Sequence, residues 1–103
     1  MIKSVIIGCI DYRFQGKIYQ TIKSYNLNFW DYDLILIPGG GGNLTECIKY
    51  LKMSIKLHNP QNIILIIHED CQQGATKDDF KNSIKLIRTI NKNIPIYTEN
   101  LKL

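Results

Sequence analysis

Ile63-Ile64-Leu65-Ile66-Ile67 is an unbroken apolar run in which four of the five side chains are β-branched. A strand with one wet face alternates apolar and polar residues, whereas a strand covered on both faces has no reason to alternate. A second run, Ser4-Val5-Ile6-Ile7-Gly8, reads the same way. Strands buried on both faces belong to parallel sheets, and parallel sheets need helical crossovers to return the chain. These two runs therefore predict an α/β fold, and the segments around them are tested against that rhythm.

The first strand is expected over Lys3 to Cys9. A helix should follow from Phe14 to Tyr25, with Phe14, Ile18, Ile22 and Tyr25 on one face at helical spacing. A second strand is expected over Asp33 to Ile37, ended by Pro38-Gly39-Gly40-Gly41-Gly42. Asn43 and Glu46 form an Asn-x-x-Glu box that should cap a second helix running to about His58, with Leu44, Ile48, Leu51 and Ile55 inward. Asn59-Pro60 stops it. The third strand is Asn62 to Ile67. A third helix should start near Thr76, where Asp78 and Asp79 suit its positive end, and bury Phe80, Ile84 and Ile87. Ile94-Pro95-Ile96-Tyr97 is a short last strand, and its proline argues for a sheet edge. Right-handed crossovers then favour a small parallel sheet in the order 2-1-3-4, with helices on both faces. Strands one and three would lie side by side where the winding reverses. The carboxyl ends of such strands form the crevice in which open α/β sheets bind ligands.

A chain of 103 residues is expected to be one domain, 1–103, with a single core. No apolar run approaches the roughly 20 residues that span a bilayer, so no membrane partner is expected. Met1-Ile2-Lys3 leads straight into the first strand without a signal-peptide pattern, which points to the cytoplasm. The net charge of +4 comes from scattered lysines with no stripe interleaved by aromatics, which argues against nucleic acid. Three cysteines are an odd number and fit a reducing compartment.

Chemistry-bearing residues follow both apolar runs. The first strand ends in Cys9-Ile-Asp11-Tyr-Arg13, and the third is followed by His68-Glu-Asp-Cys71. Two thiolates and one imidazole are a soft donor set that suits zinc, and three protein ligands leave a fourth position open for chemistry. In an extended segment Cys9, Asp11 and Arg13 share one face. Asp11 and Arg13 can pair if a turn helps them meet, and the guanidinium would keep the carboxylate ionised. Cys47 lies near Ile48 and Leu51 and is expected in the core. His58 sits at a helix end, where a cationic residue is compatible with the dipole. The Gly39–Gly42 run is either a turn that needs positive φ or a place where backbone N–H groups approach an anion.

At these residues the sequence resembles the β-class carbonic anhydrases, whose signature is a Cys-x-Asp-x-Arg strand end and a later His-x-x-Cys. The resemblance runs in order and spacing from about Val5 to Gln73, and the chain reads as a minimal member that begins at strand one. Ile37-Pro38-Gly39-Gly40 occupies the place of the family's Arg-Asn-Ala-Gly-Gly turn, and Gln72 stands where glycine is usual. The resemblance implies a zinc-dependent lyase that hydrates carbon dioxide reversibly to bicarbonate. Zinc would be held by Cys9, His68 and Cys71, and Asp11 and Arg13 would orient the fourth ligand. Backbone N–H groups near Gly40 and Gln72 would steady the bicarbonate oxygens. It also implies a homodimer or higher assembly, for which Phe29, Trp30 and Tyr32 supply an apolar cluster. Two alternatives keep the fold: a zinc hydrolase of carbon disulfide or carbonyl sulfide, and a non-catalytic zinc-binding protein.

Overall fold

The computed structural model describes residues 1–69 and 76–102. Four parallel strands form one sheet: β1 (Ser4–Cys9), β2 (Tyr32–Ile37), β3 (Asn62–His68) and β4 (Ile96–Leu101). Their order is β2-β1-β3-β4, as the crossover argument requires. The register sets Ile6 beside Leu34 on one side and Ile64 on the other. Three helices return the chain: α1 (Gln15–Ser24), α2 (Ile48–His58) and α3 (Lys77–Ile90).

Alternation along β1 and β3 divides the core in two. Ile6, Ile64 and Ile66 face α1, where they pack with Ile18, Ile22 and Leu27. Val5, Ile7, Ile63, Leu65 and Ile67 face α2 and α3, where they meet Leu44, Cys47, Leu51, Phe80 and Ile87. The five residues Ile63–Ile67 are at most 2% exposed. Each such side chain contributes about 1.5–3 kcal/mol relative to exposure, so β1 and β3 form the centre of the core.

Three local expectations are corrected. The first helix does not begin at Phe14, because a 3-10 turn over Tyr12–Phe14 intervenes before α1. Asn43 does not cap a helix. Its side-chain amide donates to the Pro38 carbonyl at 2.9 Å, and a 3-10 turn over Leu44–Glu46 precedes α2. The last strand lies further along, since Pro95 precedes β4 and no strand includes Ile94 or Pro95. Other signals hold. Asn59, in the left-handed conformation at φ 49°, ends α2. Thr76 starts α3, its backbone N–H donating to Asp79 Oδ2 at 2.6 Å.

Gly39 and Gly40 have φ of 84° and 52°, so the turn after β2 uses their freedom. At Gly40 closeness matters as well. A Cβ there would lie 2.5 Å from the Ile66 carbonyl oxygen and 2.7 Å from the Cys9 nitrogen. The glycine turn is pressed against the ends of β1 and β3, and any side chain would push it off.

Candidate metal centre

The backbone leaving β1 is fixed by four hydrogen bonds. Ile10 N–H donates to the Ile37 carbonyl at 3.1 Å and ties the exit to β2. Arg13 N–H donates to Asp11 Oδ1 at 3.0 Å, so the aspartate caps the 3-10 turn that follows it. The Gln15 side-chain amide reaches back to the carbonyls of Cys9 and Asp11, 2.9 Å from each. That turn supplies the help that an i, i+2 pair needs. The Arg13 guanidinium forks onto the Asp11 carboxylate, with Nη2 2.7 Å from Oδ2 and Nε 3.1 Å from Oδ1. Charge-assisted forked bonds of this kind are strong and directional. The side-chain bond from Arg13, joined by the bond from its backbone N–H, holds the Asp11 carboxyl down at about 2. At neutral pH Asp11 is therefore an ionised acceptor.

His68 closes β3 on the α1 side of the sheet. Its side chain is 2% exposed. The imidazole stacks on Phe14, centroid to centroid 3.9 Å and 18° from parallel. Nδ1 lies 2.7 Å from the Glu69 carbonyl oxygen. A carbonyl only accepts, so Nδ1 carries a proton, which leaves Nε2 as the nitrogen able to offer a lone pair. Nε2 is buried and has no hydrogen-bond partner among the described residues. Asp11 Oδ2 is 3.8 Å from it, too far for a hydrogen bond. An orphaned polar atom in a buried place costs about 1–3 kcal/mol, and such a cost is tolerated where a further ligand relieves it.

Cys9 is the last residue of β1, beside β3, and is 5% exposed with a free thiol. Asp11, Arg13 and His68 are thus brought together, with Cys9 on the adjoining strand end and Gly40 packed on the Cys9 nitrogen. Cys71 and Gln72 lie outside the described residues. Among the described residues no three His, Cys, Asp or Glu side chains converge on one point. Two residues with no expected part in the site touch it directly. Phe14 holds the imidazole, and Gln15 holds the carbonyls of Cys9 and Asp11. Phe14 was legible only as an inward helical position; nothing in its spacing reveals that its neighbour is His68.

The fold has a counterpart among solved structures. The carbonic anhydrase from Glaciozyma antarctica superposes with a TM-score of 0.61 at 20% identity, covering 96% of this chain and 75% of that one. The two chains share a fold. No family model matches this sequence, and no curated protein matches it. No helix among the described residues is long and apolar enough to cross a membrane.

Proposed function

We propose that the carboxyl ends of β1 and β3 form a zinc site of the β-carbonic-anhydrase type, and that the chain hydrates carbon dioxide reversibly to bicarbonate. The observation that carries this reading is the buried Nε2 of His68, which has no partner among the described residues, with Nδ1 held by the Glu69 carbonyl and an ionised carboxylate close by. Imidazoles that ligate metals are commonly oriented through the other nitrogen in this way. The fold shared with a carbonic anhydrase supports the same reading.

Cys9, His68 and Cys71 would hold the ion. A bound zinc supplies a Lewis acid and lowers the pKa of water near it. The chain's own residues do the rest. Asp11 accepts a hydrogen bond from the water or hydroxide entering the crevice and aims its lone pair. Arg13 keeps Asp11 ionised and stationary. Backbone N–H groups near Gly40 and Gln72 would donate to the oxygens of bicarbonate. Stopped-flow hydration of carbon dioxide on protein of verified zinc content tests the reading. Turnover well above the uncatalysed rate is expected, and zinc-loaded protein with none would leave a non-catalytic metal protein.

The same reading extends to assembly, as a homodimer. Tyr32 packs against the α1-side core, but Phe29 and Trp30 stay 77% and 92% exposed. They line an apolar groove of about 400 Å³ with Tyr19, Leu27 and Tyr32. Aromatic rings offer about 150–250 Å² each, and surfaces of this kind mark partner sites. Light scattering at micromolar concentration should give twice the chain mass; a monomer with full activity would refute the shared assembly.

A further inference from the structure

Gln15 belongs to none of the motifs that mark the site, yet it touches the backbone of two residues that build it. Its Nε2 carries two hydrogens, and the carbonyl oxygens of Cys9 and Asp11 each lie 2.9 Å away. One planar amide therefore spans the two peptide units from which the thiol and the carboxylate project. The clamp has a firm base, because Gln15 is the first residue of α1 and that helix buries Ile18 and Ile22 against Ile6, Ile64 and Ile66. One residue earlier, Phe14 is fully buried and stacks on His68. The Phe14–Gln15 step thus contacts both arms, the Cys9–Asp11 arm from β1 and the His68 arm from β3.

We propose that Gln15 is a positioning residue of this site, whose amide sets the direction in which Cys9 and Asp11 enter the crevice. The proposal rests on the zinc reading above. It differs from a plain turn cap in what it predicts. A cap affects stability alone, whereas a residue that aims a ligand changes how metal is held. Groups that orient ligands from outside the coordination sphere typically alter metal affinity by about 10–100-fold when removed.

The experiment is a Co2+ titration of the metal-free full chain, followed by visible absorption, which reports thiolate ligation and coordination geometry. Chelator competition gives the affinity. Gln15→Glu keeps the shape but turns an acceptor toward two carbonyls; Gln15→Leu removes the donors without adding charge; Gln15→Lys restores donors without the planar fork. We expect the wild type to bind one Co2+ per chain. Gln15→Glu and Gln15→Leu should bind at least about tenfold more weakly with altered absorption bands. Gln15→Lys should recover most of the affinity, and in the zinc-loaded forms kcat should fall while KM holds. A folded Gln15→Glu or Gln15→Leu protein with a lower melting temperature but the wild-type Co2+ spectrum and affinity overturns the proposal. Wild-type protein that takes up no Co2+ removes the zinc reading, and this inference with it.

Discussion

The described residues include two aspartate–histidine pairs, and they are built oppositely. Asp33 on β2 and His58 at the end of α2 are in direct contact, His58 Nδ1 lying 2.6 Å from Asp33 Oδ2. Ser54 Oγ donates to the same oxygen at 2.7 Å. His58 is half exposed, so the rest of its ring is open to solvent. Asp11 and His68 stand 3.8 Å apart, with the carboxylate given to Arg13, the imidazole buried and Nε2 without a partner among the described residues. The first pair satisfies itself and ties α2 to β2. The second withholds the obvious bond while paying for burial. Residue type alone does not separate a self-contained pair from an open one; the unmet hydrogen-bonding capacity does.

If that contrast is sound, equal substitutions in the two pairs should give unequal results. The largest effect is expected on turnover. Asp11→Asn keeps the shape and removes the ionised acceptor, and loss of a positioned acid–base group costs roughly a hundredfold or more. Asp33→Asn should leave hydration unchanged. Steady-state rates on both variants at matched zinc content decide this, and equal losses would erase the distinction.

The smaller effect runs the other way, in stability. Burial raises the pKa of the Asp33 carboxyl, but hydrogen bonds from His58 and Ser54 together outweigh it and hold the group below its ordinary 3.8. A depressed carboxylate stabilises the fold fully above its unfolded pKa and loses that contribution as pH falls through the folded value. The pair is substantially exposed, so its worth is about 0.2–1 kcal/mol. Urea unfolding of wild type and Asp33→Asn should therefore differ by that amount at neutral pH and converge as the pH drops below about 4. A gap that widens on acidification would contradict the assignment.

Much of this was readable in the chain. The uninterrupted Ile63–Ile67 run and the Val5–Ile7 run dictated strands covered on both sides, and the order β2-β1-β3-β4 followed from crossover handedness. The pairing of Asp11 with Arg13 was foreseeable because two residues apart is a local distance, needing only the 3-10 turn over Tyr12–Phe14. Local signals misled where tertiary contact offered something better. Asn43 had a capping position, but the close packing of Gly40 on Cys9 and Ile66 shaped the turn so that its amide met Pro38 instead. Long-range partners were not legible at all. Phe14 meets His68 only because α1 and β3 share a face of the sheet, and Asp33 meets His58 only because α2 lies along β2. Spacing encodes what a helix or strand presents, not what another element brings to it.

Metal content tests the central claim most directly. Protein purified without added metal, and the variants His68→Ala and His58→Ala purified alongside it, should be analysed for zinc per chain. The account predicts about one zinc in the wild type and in His58→Ala, and little in His68→Ala, because among the described residues His68 Nε2 is the buried side-chain nitrogen left without a partner. Zinc retained undiminished in His68→Ala, or lost equally from His58→Ala, would contradict it.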